Sequence, residues 1–248
     1  MIQLTIIRIE GYGPWTLTLG SDREAQLQML QAKIYHDVQR LFSERNCIVY
    51  FNRFDEYFAI TNGLDGSGHK EIQRELARNY PELKMSMAIG AGRTALEANN
   101  NAYRARKDQL LDGKDKIFGR ASSADSAEVM HLDVDCSTKV GDSLSPYEVT
   151  ALVMKTYSRL AEEFLKLDSL TFFLGGDNFM VISNGVTKEQ ADKVIRNVTA
   201  GINIKLNCGI GIGRTGRIAA EAATKALDTI RDLRKKGKIQ PIYEIRCP

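Results

Sequence analysis

The sequence predicts an α+β chain made of two copies of one antiparallel βαββαβ domain, and three internal matches in a common order carry that prediction. Met87-Ala88-Ile89-Gly90-Ala91-Gly92-Arg93-Thr94-Ala95 returns as Asn207-Cys208-Gly209-Ile210-Gly211-Ile212-Gly213-Arg214-Thr215-Gly216. Upstream, Phe54-Asp55-Glu56-Tyr57-Phe58-Ala59-Ile60-Thr61-Asn62-Gly63 is answered by Gly176-Asp177-Asn178-Phe179-Met180-Val181-Ile182-Ser183-Asn184-Gly185, and Leu4 to Glu10 aligns with Val129 to Asp135. One such match arises by chance often enough; three in the same order at nearly constant offset indicate duplication.

In the second copy, strand periodicity over Val129 to Asp135 precedes a marked helix start, where Ser145, Pro146 and Glu148 supply an N-cap, an N1 proline and a capping-box acid. Val149, Leu152, Val153, Leu160 and Phe164 then fall on one helical face. Leu170 to Leu174 and Phe179 to Ser183 read as strands of a tight hairpin around Gly175-Gly176-Asp177-Asn178. Thr187 with Gln190 caps the next helix, Lys205 to Ile212 is a fourth strand, and Thr215 opens a helix that ends before Gly237, with a further strand beyond. This is the ferredoxin-like split βαβ order, an antiparallel sheet with helices on one face.

The first copy repeats the order: a strand at 2 to 10, a helix from about Asp22, a hairpin around Asn52 to Asp55, a helix near 68 to 79, a strand at 84 to 91, and a helix opened by Thr94 and Glu97. The Ser- and Ala-rich stretch Gly119 to Ser126 reads as the linker, which sets the expected domains at 1–125 and 126–248.

The composition, 43% hydrophobic and 26% charged over 248 residues, gives room for two compact domains. A net charge of +3 with interspersed Lys and Arg suits an anionic ligand and argues against a duplex-DNA binder, which needs a stripe of phosphate contacts. Cys47, Cys136, Cys208 and Cys247 form no CxxC pair and have no histidines at zinc spacing, so they read as free thiols. His36, His69 and His131 lie on separate elements and are not read as metal ligands. No signal peptide and no run of ~20 apolar residues is present, and the expected location is the cytoplasm.

The chemistry is expected where the fold joins two acids. Asp133 ends the first strand of the second copy and Asp177 lies on the hairpin between the second and third, and in this topology the first and third strands are neighbours. A lone Asp at a strand end or hairpin tip is ordinarily a solvated turn residue. Two in register make a hard-oxygen site suited to Mg²⁺, which keeps waters and recruits substrate phosphates, and two ions ~3.5–4 Å apart would clamp a phosphoryl reaction.

Asp135 points to the side of Asp133 by alternation, as a supporting acid, a proton acceptor or a turn former. The loop Cys136-Ser137-Thr138-Lys139 offers successive backbone N–H groups and one cation to a triphosphate. Gly175 and Gly176 admit a flat base or sugar close to the backbone, or simply form the turn. The run Arg234, Lys235, Lys236 and Lys238 either meets phosphates or is a solvated helix end.

Leu132-Asp133-Val134-Asp135, Gly175-Gly176-Asp177-Asn178-Phe179 and Ala226-Leu227 through Arg234, Gly237 and Lys238 resemble the DxD, GGDEF and AKxxGR-like elements of the palm-type nucleotidyl cyclases. That resemblance implies metal binding by Asp133, Asp177 and the Val134 carbonyl, phosphate binding by Cys136 to Lys139, and Arg234 and Lys238 near the phosphates. Two departures stand out: Asn178 replaces the acid after the metal Asp, and Val140-Gly141-Asp142-Ser143-Leu144 lacks the guanine-reading pattern of GGDEF domains.

Over essentially its whole length the chain more closely resembles the archaeal type III GTP cyclohydrolases, which have two palm-like halves. The resemblance implies GTP as substrate, two Mg²⁺ ions with a monovalent cation such as K⁺ and no zinc. It further implies opening of the guanine imidazole ring at C8 with the formyl group kept, and loss of the β and γ phosphates. The product would be a formylamino-pyrimidine ribonucleotide, early in riboflavin and coenzyme F420 biosynthesis. A nucleotidyl cyclase and a non-catalytic GTP-binding regulatory module are the alternatives. No membrane is expected as partner, and a homo-oligomer is.

The copies differ in a way that assigns roles. Arg8 stands at the position of Asp133, and Asn52-Arg53-Phe54 replaces Leu174-Gly175-Gly176, while Asp55 is kept. The metals therefore belong to the second copy. The first either supplies residues such as Arg8 or Arg53 to the base or phosphates, or only supports the fold or an oligomer.

Overall fold

The computed structural model describes residues 1–109, 116–135, 144–202 and 204–247. The chain divides into two compact units, one of Ile2–Gly92 with Glu97–Asp125, the other of Ser126–Pro248 with Met1 and Arg93–Leu96. Among the described residues no helix is long and apolar enough to cross a membrane.

The elements of the first copy are β1 (Ile2–Glu10), α1 (Tyr12–Thr16), α2 (Arg23–Ser43), β2 (Ile48–Arg53), β3 (Glu56–Ile60), α3 (Gly66–Asn79), β4 (Lys84–Gly92), α4 (Ala95–Lys107) and β5 (Ile117–Phe118). Those of the second are β6 (Ala127–Val134), α5 (Pro146–Leu165), β7 (Leu170–Gly175), β8 (Asn178–Ile182), α6 (Lys188–Thr199), β9 (Leu206–Gly213), α7 (Gly216–Lys235) and β10 (Ile242–Arg246). The sheets run β2-β3-β1-β4-β5 and β10-β9-β6-β8-β7. In each, the first four strands are antiparallel in ferredoxin-like order, and the fifth lies parallel at the edge beside the fourth.

Strand register proves the duplication residue by residue. Leu4 pairs with Ile60 as Val129 pairs with Ile182, and Arg8 faces Glu56 and Ser86 as Asp133 faces Asn178 and Asn207. The edge strand, expected only in the second copy, is present in both: Ile117 lies beside Met87 as Ile242 lies beside Cys208. With two residues, β5 is too short to show periodicity in sequence. The short α1 escaped for a related reason, since it buries no residue and so carries no apolar face.

Even the side-chain packing is repeated. Tyr35, Phe51 and Tyr57 form an aromatic trio whose Tyr35 hydroxyl donates to the Val49 carbonyl (3.3 Å). Tyr157, Phe173 and Phe179 form its counterpart, with the Tyr157 hydroxyl 3.4 Å from the Thr171 carbonyl.

The expected helix caps are formed: Glu148 accepts the Ser145 N–H (2.7 Å), Gln190 accepts that of Thr187 (2.8 Å), and the Thr215 hydroxyl accepts that of Ile218 (3.4 Å). In the second unit, Met130, Leu132, Cys208 and Ile210 face Val153, Leu160 and Phe164 of α5 and Val194 and Val198 of α6 in one apolar cluster. The two helices of the βαββαβ core thus share one face, as expected, and the appended α7 covers the other.

That second face is set by glycine. Gly209, Gly211 and Gly213 alternate outward on β9, and a Cβ on Gly211 would lie 2.0 Å from the Ala219 carbonyl oxygen and 2.2 Å from the Ala223 nitrogen. Gly90 makes the same close approach to Ala98 and Ala102 of α4. Contact at backbone distance leaves no room for a methyl group, which is the physical content of the repeated Gly-x-Gly.

Cys47 and Cys208 are buried free thiols, and burial pushes the Cys47 thiol up to about 12 and Cys208 upward as well; Cys247 is half-buried, and Cys136 lies outside the described residues. A different copy contrast lies at the start of the first strand. Gln3 is fully satisfied there by Thr61, Leu64 and Ser122. Its counterpart Glu128 is pushed up to about 7, chiefly by burial and then by the nearby Glu244 carboxylate.

Gly211→Ala is expected to destabilise the fold by about 1–3 kcal/mol or to abolish soluble expression, because overpacking here meets backbone. Gly13→Ala, which meets nothing within 4 Å, is the matched control and is expected to be neutral in denaturant melts. For Glu128, a pKa raised on folding means stability that is whole below an ordinary value near 4.5 and declines until pH reaches about 7. Glu128→Gln is expected to remove that slope and gain roughly 1–2 kcal/mol above pH 7, allowing for solvent screening, read from urea melts across pH 4 to 8.

Candidate metal and nucleotide site

Strand alternation sends His131, Asp133 and then Asp135 off β6 toward α7. Asp133, 6% exposed, is a nearly buried carboxylate in the middle of the sheet's width. Such a group is costly unless hydrogen-bonded and charge-paired. Both conditions are met: Asn207 on β9 donates to Oδ1 (3.0 Å) and Arg231 on α7 to Oδ2 (2.7 Å). The pair raises the Arg231 pKa, the hydrogen bond to Asp133 being the main cause.

Asp177 arrives by a different route. The hairpin between β7 and β8 turns on Gly176 and Asp177, with φ of +109° at Gly175 and +60° at Gly176. Gly175 would meet nothing within 4 Å as alanine, so backbone conformation and not crowding calls for glycine there. The Val134 N–H donates to the Asp177 carbonyl (3.2 Å), stitching the turn to the end of β6. Register pairing of Asp133 with Asn178 then places Asp177, the residue before β8, next to the end of β6.

Two hydrogen-bond chains tie these carboxylates to α7. In the first, Arg234 donates to Asp135 Oδ1 (2.6 Å) and to Asn207 Oδ1 (2.8 Å), and Asn207 donates onward to Asp133. In the second, the Asn178 amide donates to Asp177 Oδ1 (2.8 Å) while its oxygen faces His131 Nε2 (3.1 Å), and His131 Nδ1 meets the Thr224 hydroxyl (3.2 Å). Burial holds the His131 pKa below its ordinary value. Thr224, Arg231 and Arg234 sit seven and three residues apart on one flank of α7, a spacing that returns to the same side of a helix.

Of the residues singled out in the sequence, Asp133, Val134, Asp177, Gly175 and Gly176 come together at the strand end. Asp135 does not join them in a three-carboxylate cage; among the described residues no group of three His, Cys, Asp or Glu side chains forms one. Its carboxylate is drawn to Arg234 beside a cavity of about 390 Å³ lined also by Lys205, Arg196 and Ile230. Arg234 itself is committed to Asp135 and Asn207. Lys238 is exposed just past α7, its N–H closing the helix end on the Leu233 carbonyl. Cys136, Ser137, Thr138 and Lys139, with Val140 to Ser143, lie outside the described residues.

Sequence reasoning missed Asn207, Arg231, His131, Asn178 and Thr224 as parts of the site. Asn207 carried a signal, a polar side chain between Leu206 and Cys208 in an otherwise apolar strand. The α7 residues carried none, because an arginine on a helix flank reads as solvated.

The donor set fits Mg²⁺. Two carboxylates and the Val134 carbonyl are hard oxygens, and this ion is commonly held by one or two carboxylates, with water and substrate phosphates completing the shell. The matching place in the first copy does not fit it. Arg8 stands there in place of the first carboxylate and ion-pairs with Glu56 (3.7 Å), and Arg53 reaches both Asp55 (3.4 Å) and Glu56 (3.1 Å), so one of the two carboxylates is missing.

Arg234→Met leaves the buried Asp135 without its guanidinium and breaks the link to Asn207. Because Arg234 is itself partly exposed, the expected loss is about 1–2 kcal/mol in chemical denaturation, with Arg234→Lys intermediate because it makes one of the two bonds.

The GTP cyclohydrolase III family pattern matches residues 1–243. The GTP cyclohydrolase III of Methanothermobacter thermautotrophicus is 36% identical over 237 residues, covering 93% of this chain and 95% of that protein. Its namesake in Methanococcus maripaludis is 36% identical over 251 residues, covering 98% and 94%. Among solved structures, the GGEEF domain of a diguanylate cyclase from Vibrio cholerae covers 63% of this chain and 93% of its own at 13% identity and a TM-score of 0.37, a likeness too loose to argue from. A family pattern spanning nearly every residue, with relatives of more than one third identity along their whole lengths, decides the assignment: the chain belongs to the GTP cyclohydrolase III family.

Proposed function

We propose that the chain hydrolyses GTP in the presence of Mg²⁺, opening the guanine imidazole ring at C8, keeping the formyl group and releasing the β and γ phosphates. One water enters at the ring and one for each phosphate released, giving a formylamino-pyrimidine ribonucleotide monophosphate suited to flavin and deazaflavin synthesis. The observation that carries this reading is the buried Asp133 brought beside the hairpin Asp177, in a chain whose relatives are named GTP cyclohydrolase III.

In this reading Asp133, Asp177 and the Val134 carbonyl hold two Mg²⁺ ions, with a monovalent cation such as K⁺ as a further requirement. Bound Mg²⁺ supplies positive charge for the triphosphate and makes water more acidic. Arg234, with Lys238 and the Cys136 to Lys139 loop, adds cationic and N–H contacts for phosphate oxygens. Asp135 accepts the proton of the water that attacks C8. Gly175 and Gly176 keep side chains out of the nucleotide's path.

Incubation with GTP and Mg²⁺ is expected to abolish the purine absorbance, release two phosphates per GTP and produce no formate. An intact purine with pyrophosphate release would instead identify a nucleotidyl cyclase, and binding with neither change a regulatory module. Asp133→Asn and Asp177→Asn are each expected to lower turnover by on the order of a hundredfold or more, since each removes a charged ligand worth several kcal/mol. Wild-type rates in either variant would sink the metal assignment.

A further inference from the structure

We propose that His131 is a positioning residue, which orients the Asp177 carboxylate through Asn178 and so sets the geometry of the metal site on which the proposed function rests. The hydrogen bonds leave one consistent direction. A carboxylate only accepts, so the Asn178 group 2.8 Å from Asp177 Oδ1 is the amide NH₂. The amide oxygen therefore faces His131 Nε2 at 3.1 Å, and Nε2 carries the proton. Nδ1 of the neutral ring is then the acceptor, and the Thr224 hydroxyl donates to it at 3.2 Å.

Every donor in the chain Thr224, His131, Asn178, Asp177 points toward the carboxylate. The chain braces the Gly176-Asp177 turn, to which Gly175 and Gly176 give little stiffness, against a twenty-residue helix. A hydrogen-bonded partner behind a ligating group fixes its orientation and tunes its affinity, which is the role assigned to His131.

The first copy shows that the fold does not need this imidazole. Ile6 pairs with Phe58 as His131 pairs with Met180, and Ile6 is buried in an equally regular sheet. Glu56 stands where Asn178 does, and Tyr103, nine residues after Thr94, where Thr224 follows Thr215. All three members are missing together in the copy that has Arg8 in place of Asp133. The relay therefore travels with the acid pair.

The test uses the full chain and reads Mn²⁺ affinity by electron paramagnetic resonance without nucleotide, together with the unfolding midpoint and kcat and KM for GTP. His131→Ile, which installs the first copy's residue, is expected to melt near wild type, bind Mn²⁺ about tenfold more weakly or worse, and lose kcat more than KM. His131→Gln, which restores an N–H toward Asn178, is expected to recover most of both. Wild-type Mn²⁺ affinity in His131→Ile, or no recovery in His131→Gln, overturns the proposal while leaving the metal reading in place. Wild-type protein that binds no Mn²⁺ removes both. Should His131→Ile fail to fold, Thr224→Val on the exposed flank of α7 decides instead: weakened Mn²⁺ binding supports the relay and unchanged binding refutes it.

Discussion

α7 rests on β9 at backbone distance, through glycines whose added Cβ would lie 2.0 to 2.2 Å from the helix main chain. Several properties of the site depend on that approach. A helix held so close brings Arg231 and Arg234 down to the level of the sheet, where they pair with Asp133 and Asp135. With ordinary side chains on β9 the helix would stand off by the thickness of a side-chain layer, nearer the usual ~10 Å packing of layers. The guanidiniums would then not reach, and Asp133 would be a nearly buried anion without a counter-charge. Burial of an acid there is tolerable because Asn207 and Arg231 satisfy both carboxylate oxygens before any ligand arrives.

This dependence also explains which parts were legible in the sequence. Gly211 and Gly213 are forced by contact with the helix, so they recur as Gly90 and Gly92 in the first copy and make the duplication visible. Capping residues Ser145, Thr187 and Thr215 were legible because each acts within its own turn. The strand-end acids were legible because topology alone places β6 beside β8. Arg231, Thr224 and His131 were not, since each works across nearly 50 to 100 residues of sequence and sits on a surface where the same residue types are ordinarily solvated. Long-range polar contacts leave no periodic trace.

The two copies give different answers to one electrostatic problem. Each fold places acidic groups at the hairpin and the end of its first strand, and acids so grouped need positive charge nearby. The first copy supplies it covalently, through Arg8 and Arg53 on the acids of its own hairpin and Arg106 on Glu10. In the second, Arg231 and Arg234 take Asp133 and Asp135 from the helix side, and Asp177 Oδ1 accepts from the neutral Asn178 amide. A guanidinium brings a full positive charge to a carboxylate, whereas an amide brings only a dipole.

That difference bears on how an ancestral domain acquires asymmetry after duplication. An arginine at this position, as Arg8 stands for Asp133, puts a positive charge beside the acids of its hairpin and relieves their mutual repulsion. The first copy retains the sheet, the aromatic trio and the glycine contact with its helix. In the second copy Arg231 and Arg234 give that relief to Asp133 and Asp135 from the helix side. Its acids also accept from neutral amides, Asn207 for Asp133 and Asn178 for Asp177, at positions where the first copy has Ser86 and Glu56, and these two amides mark the difference between the copies beside their arginines.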